Sequence, residues 1–128
     1  MIIAVDFDGT CVTHAFPRVG KDIGAVPVLR ALSECGHKLI LYTMRDARYS
    51  QNTLQDAVDW FENNGIPLHS VNYNPQQKSW TMSPKIYAHL YIDDAALGVP
   101  LKIDTNLSER PFVDWKKVEQ LLKEKGII

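Results

Sequence analysis

Apolar runs separated by polar breaks divide this chain into alternating strands and helices. Residues 2–5 (Ile-Ile-Ala-Val) are continuously apolar and mostly β-branched, which predicts a strand buried on both faces. Asp8-Gly9-Thr10 ends that run, and residues 11–21, punctuated by Pro17 and Gly20, read as a loop. Val26, Leu29 and Leu32 recur at helical spacing and predict a helix over 22–35, with Pro27 near its start and Gly36 just past its end. Residues 37–42 predict a second buried strand. Leu54, Ala57, Val58 and Phe61 predict a helix over 49–64 that Gly65 stops. A weaker third strand follows at 67–71, then a polar loop over 72–84, long enough to suggest a functional role. Residues 88–92 predict a fourth strand, residues 99–103 a fifth, and residues 114–125 an amphipathic helix carrying Trp115, Val118, Leu121 and Leu122.

Strands alternating with helices predict an α/β fold: a mostly parallel, Rossmann-like sheet with helices on both faces, a three-layer α/β/α sandwich. Right-handed crossovers bring the strand C-termini to one edge, where open α/β sheets bind ligands. The polar residues directly after the buried runs are Asp6, Asp8, Thr43, Arg45, Asp93 and Asp94, and all fall on that edge.

Length and composition narrow the class. The chain has 128 residues, which suits one domain over 1–128; 45% are hydrophobic and 23% charged, an ordinary balance for a soluble globular protein. A net charge of −1 gives no overall attraction to nucleic acid or anionic membrane. No stretch approaches the ~20 apolar residues of a membrane helix, and the apolar start is too short for a signal segment, so a cytoplasmic location is expected. Cys11 and Cys35 lack any zinc spacing and are expected as free thiols, with Cys11 inert. His14, His37, His69 and His89 are scattered and are expected in surface or packing roles.

The acids carry the chemistry. Asp6 and Asp8 flank Phe7 directly after a buried strand, and Asp93 and Asp94 repeat the situation on another. Carboxylates crowded there repel and lose hydration, a cost that a divalent cation offsets. Oxygen-only ligation is a magnesium-type site. Phosphoryl chemistry needs a nucleophile, positive charge and a proton donor. Asp6 is the candidate nucleophile, Asp8 the acid/base, Thr43 a hydrogen-bond donor to the phosphoryl group and Lys85 a neutralising cation.

These residues resemble the motifs of the haloacid dehalogenase superfamily. Asp6-Phe7-Asp8-Gly9-Thr10 looks like its first motif, DxDGT; Thr43 matches the second; Lys85, in Ser83-Pro84-Lys85, is similar to the third; and Asp93-Asp94 looks like the paired-acid form of the fourth. The resemblance spans residues 2–103. It implies a magnesium-dependent phosphatase in which Asp6 becomes phosphorylated and ligates the metal. Asp8 would be general acid/base and would offer the metal its backbone carbonyl. Thr43 would hold the phosphoryl group and Lys85 would stabilise the phosphoaspartate; Met44 and Arg45, which follow Thr43 on the same edge, are further substrate-binding candidates from their position. Asp94 would be the direct metal ligand, with Asp93 behind it or acting through water. The gaps between motifs leave no room for the cap domain that many members carry. The expected partner is therefore a phosphorylated small molecule or macromolecule at an open site, which a second subunit could roof.

Several residues have a plainer reading beside the functional one. Arg45 could grip phosphate or pair with Asp46 or Asp93. Lys78 is a rival to Lys85. Phe16 and Trp80 could stack on a substrate ring, although packing within their loops is the simpler expectation, and Trp60 and Trp115 are expected in or near the core. A binding domain that kept the fold without catalysis, and a phosphotransferase, are the competing functions.

Overall fold

The computed structural model describes residues 1–48 and 51–128. Its centre is a four-stranded parallel sheet in the order β3-β2-β1-β4, formed by β1 (Ile2–Val5), β2 (Lys38–Leu41), β3 (Ser70–Val71) and β4 (Leu90–Ile92). Two antiparallel strands, β5 (Leu101–Lys102) and β6 (Phe112–Val113), form a separate ribbon. The expected fifth strand thus exists but joins this ribbon instead of the parallel sheet. Among the described residues three α-helices complete the fold: α1 (Ala25–Glu34), α2 (Thr53–Asn63) and α3 (Trp115–Glu124). No described helix is long and apolar enough to cross a membrane.

Local chemistry sets the helix ends. The expected start of α1 at 22 moves to Ala25 because Asp22 Oδ1 accepts from the Gly24 N–H at 3.0 Å and Gly24 takes a left-handed φ of 91°. Pro27 then falls in the first turn, where its missing N–H costs nothing. Asn52 caps α2 by accepting from the Gln55 N–H, and Asp114 caps α3 by accepting from that of Lys117. The sequence places the start of α2 at Tyr49, which lies outside the described residues.

The layering differs from the expected pair of helical layers. Strand residues alternate between faces. Ile3, Val5, Leu39 and Leu41 share one core cluster with the buried residues of all three helices: Val28 and Leu32 of α1, Phe61 of α2, Trp115 and Val118 of α3. The alternate residues Ala4, Ile40 and Tyr91 face the chain between Asn74 and Ala88, as the hydrogen bonds of the Tyr91 hydroxyl to the Ile86 carbonyl and the Ala88 N–H show. That segment contains one 3-10 turn, Gln77–Ser79. Buried Gln77 organises it, donating to the Ser83 and Lys85 carbonyls at 3.2 and 3.0 Å and accepting from the Tyr87 N–H at 2.9 Å. The long polar loop expected at 72–84 therefore covers the second face of the sheet.

Phe61, fully buried, meets Trp60 edge-on at 5.0 Å and Phe7 at 6.3 Å. Removing its ring leaves a cavity beside Phe7, beneath the loop at 6–10. Phe61→Ala is expected to cost about 3–5 kcal/mol, read from urea denaturation.

Candidate functional site

The acids meet at the C-terminal ends of β1 and β4. These strands are paired from Ile3–Leu90 to Val5–Ile92, and the Asp6 N–H extends the ladder by donating to the Ile92 carbonyl at 2.9 Å. Asp6 and Asp93 thus leave neighbouring strands at the same height. One carboxylate oxygen from each of Asp6, Asp93 and Asp94 lies within 4.8 Å of the others, an arrangement that could hold a metal ion.

Thr10 fastens this cluster. Its fully buried hydroxyl donates to Asp6 Oδ2 at 2.8 Å and accepts from the Asp94 N–H at 2.9 Å. Its carbonyl accepts from Trp115 Nε1 at 2.7 Å, which ties α3 to the loop after β1. Gly9 must be glycine on two counts: its φ is +78°, and a Cβ there would lie 2.0 Å from His14 Nε2 and 2.7 Å from Asp94 Oδ2. Asp93 Oδ1 accepts from the Ala95 N–H at 2.8 Å, a local turn that steadies the paired acids.

Burial pushes the Asp6 carboxyl up from 3.8 to about 7, against the Thr10 hydrogen bond, which lowers it; the charge of Asp93 and the adjoining Asp94 carboxyl act in the same direction as burial. Cys11 behaves as expected. It is free and fully buried, and burial lifts its thiol well above the usual range, with Asp6 and Asp8 adding to the shift.

Asp8 faces elsewhere. Its two oxygens accept from Arg45, Oδ2 from Nε at 2.8 Å and Oδ1 from NH2 at 2.7 Å. The remaining guanidinium donors reach the carbonyls of Pro17 at 3.3 Å, Thr53 at 3.2 Å and Arg18 at 2.8 Å. All five Arg45 N–H groups are thereby used. The guanidinium also lies against the rings of Phe7 and Phe16, at 5.0 and 5.3 Å. Arg45 is 2% exposed, so it offers no donor to a substrate phosphate, and its partner is neither Asp46 nor Asp93. Both expectations for this residue are corrected. Asp46 pairs instead with exposed Arg48, at 3.6 Å.

The other expected site residues are distributed unevenly. Thr43 stands at the same sheet edge, its N–H donating to Asn72 Oδ1 at 2.8 Å and its hydroxyl accepting from the Arg45 N–H at 3.1 Å. Met44 is 97% exposed beside it. Lys85 and its rival Lys78 are both exposed, and neither ammonium forms an ion pair among the described residues. Phe16 packs on Arg45, and Trp80 meets Tyr87 edge-on at 5.6 Å.

One residue at the site had no sequence signal. His14 Nε2 lies 3.0 Å from Asp94 Oδ2, with 14% of its side chain exposed. It lies outside the DxDGT pattern, and only the turn of the loop brings it back over Gly9. It packs, as expected of the histidines, but against the acid cluster itself. His37 and His89 do have packing roles: His37 contacts the N-terminal amine and the Ile127 carbonyl, and His89 Nδ1 accepts from the Ile2 N–H.

No protein-family model matches the chain, and neither does any curated protein. A solved structure does, that of a conserved protein from Bacteroides thetaiotaomicron, with 34% identity over 98% of this chain and 91% of that one and a TM-score of 0.76. The chain belongs to the family of that Bacteroides protein. The match covers nearly the whole of both chains, so sheet, helices and the acid-bearing edge fall within the shared fold.

Two outcomes test this geometry. Arg45→Met leaves Asp8 and three carbonyls without their donor and is expected to cost about 3–5 kcal/mol in chemical denaturation. Arg45→Lys is expected to recover only part of that loss, since a point charge cannot replace the fork. The second outcome concerns pH. Asp6 binds its proton more tightly folded than unfolded. Its contribution is therefore fully present below pH 3.8 and is lost as pH rises towards about 7. In metal-free buffer, wild-type stability is expected to fall relative to Asp6→Asn across that window, measured as the difference between their thermal midpoints.

Proposed function

We propose that the protein is a magnesium-dependent phosphomonoester hydrolase of the haloacid dehalogenase type, with Asp6 as nucleophile. The convergence of Asp6, Asp93 and Asp94 from two adjacent strand ends carries this reading. The fold supports it: a four-stranded parallel sheet with its acids at the C-terminal edge is compatible with a capless core of that superfamily. On this reading the covering segment at 74–88 stands where the third layer of the α/β/α sandwich would be.

The donor set fits a hard divalent cation, because three carboxylates held together against their repulsion offer only oxygen. Asp6, Asp93, Asp94 and the Asp8 carbonyl would hold magnesium, which would screen the phosphate oxygens from the attacking carboxylate. An Asp6 oxygen then attacks phosphorus and the bond to the leaving oxygen breaks, giving an aspartyl phosphate. Asp8 supplies the proton to the leaving oxygen and later takes one from the attacking water. To donate, the Asp8 carboxyl must release at least one Arg45 bond, so Arg45 governs when Asp8 can act. Thr43 and Lys85 would bind the phosphoryl group; the exposed Lys85 ammonium has no competing ion pair among the described residues. The free thiols Cys11 and Cys35 agree with a cytoplasmic setting.

The clasp on Asp8 favours one alternative, a domain that binds metal and phosphate without turnover. A single assay separates the two: hydrolysis of p-nitrophenyl phosphate with magnesium or with EDTA, by wild type and Asp6→Asn. Magnesium-dependent release of nitrophenol, at least ~10³-fold lower in the variant, is the expected result. Turnover retained by Asp6→Asn would exclude the mechanism. Release of phosphate to an added alcohol instead of water would identify a phosphotransferase. Magnesium is also expected to raise the thermal midpoint of the wild type more at pH 8 than at pH 5, because only the ionised cluster binds it.

A further inference from the structure

A cleft of about 470 Å³ opens beside the acid cluster, between the loop at 13–21 and the segment at 107–110. His14 belongs to both regions: it lines the cleft, and its Nε2 lies 3.0 Å from Asp94 Oδ2. Arg18 and Lys21 stand on one wall and Arg110 on the other, with Glu109 the single acid in the lining. Three cations less one acid leave an excess of two positive charges, counting His14 as neutral. None of the three forms an ion pair among the described residues, in a chain whose net charge is −1. Like charges around a concave space repel, and an anion between them relieves that repulsion.

The walls are built before any ligand arrives. The Thr13 N–H donates to the Lys21 carbonyl at 3.0 Å, and the Lys21 N–H donates to Thr13 Oγ1 at 2.9 Å. Gly20 packs so closely that a Cβ there would lie 2.0 Å from the Thr13 carbonyl oxygen. Opposite, the N–H groups of Leu107 and Ser108 both donate to the Asp104 carbonyl at 3.0 Å. The volume is that of a small-molecule site, for which roughly 300–1,000 Å³ is usual.

We infer that this cleft is the leaving-group subsite, and that it selects small phosphomonoesters whose leaving group carries a second anion, a carboxylate or another phosphate. The leaving-group role rests on the phosphatase reading. With a phosphoryl group at Asp6, the rest of the ester runs past His14 and brings its second charge among Arg18, Lys21 and Arg110. Glu109 lowers the attraction without reversing it.

Matched pairs of substrates test the inference: 3-phosphoglycerate against glycerol 3-phosphate, and glucose 1,6-bisphosphate against glucose 6-phosphate. In wild type, kcat/KM is expected to favour the doubly anionic member of at least one pair about tenfold, and the pair that responds tells carboxylate from phosphate. The Lys21→Gln/Arg110→Gln double variant is expected to lose most of that ratio, on the scale of two partly solvated charge contacts, and Arg110→Lys to keep it. The Asp6→Asn protein, in which turnover does not intervene, provides a separate binding readout. Its calorimetric Kd for 3-phosphoglycerate and glucose 1,6-bisphosphate is expected to weaken about tenfold for at least one probe when Lys21→Gln and Arg110→Gln are added.

If no substrate is turned over but binding responds as expected, the phosphatase reading falls and the anion cleft stands. If turnover occurs and neither ratio nor Kd depends on Lys21 and Arg110, the cleft inference falls and the phosphatase reading stands. Absence of measurable binding of either probe to Asp6→Asn, with no preference in wild type, also overturns the cleft.

Discussion

Three carboxylates whose oxygens lie within 4.8 Å of one another repel, and much of the surrounding structure holds them against that repulsion. The β1–β4 ladder sets Asp6 beside Asp93 and continues one bond past the strand end, through the Asp6 N–H. Thr10 donates to one acid and accepts from the backbone of another, and Trp115 of α3 anchors Thr10 in turn. Polar groups buried this close to crowded acids are costly unless satisfied, and among the described residues no buried side-chain polar atom lacks a partner. Burial above all, with a smaller push from Asp93 and Asp94, lifts the Asp6 carboxyl to about 7.

Arg45 joins the strand end of β2 to the loop after β1 and to the start of α2. A buried guanidinium is tolerable only when its charge and its N–H groups are all answered, and here one carboxylate and three carbonyls answer them. The arrangement fixes the loop at 15–18, and with it one wall of the cationic cleft. It also turns Asp8 away from the acid cluster. One arginine thus links the folding of the loop, the orientation of the acid/base candidate and the shape of the neighbouring cleft.

The layering is asymmetric. All three helices pack against the face bearing Ile3, Val5, Leu39 and Leu41, while an irregular segment held by Gln77 covers the other. The acids stand at the strand ends, where Asp6, Asp93 and Asp94 are all partly exposed. On the proposed phosphatase reading, discrimination among substrates falls to the loops beside that edge. The cleft that His14 shares with that edge, with Arg18, Lys21 and Arg110 in its lining, is the proposed means.

The sequence by itself determined the parallel strands, the three helices and the edge on which Asp6, Asp93 and Asp94 meet. Those features follow from local periodicity and from the chirality of crossovers, which short-range order encodes. The end of α1 was legible too, since Gly36 is the residue type that follows a helix. Long-range pairing was not legible. Nothing near Arg45 in the chain points to Asp8, 37 positions away, and nothing near His14 points to Asp94, 80 positions away. Residues 99–103 carry a strand pattern, yet their partner at 112–113 is too short to show one. The tertiary structure decided which charges are satisfied and which remain free. Charge pairing depends on distance in space, and a sequence records distance only along the chain.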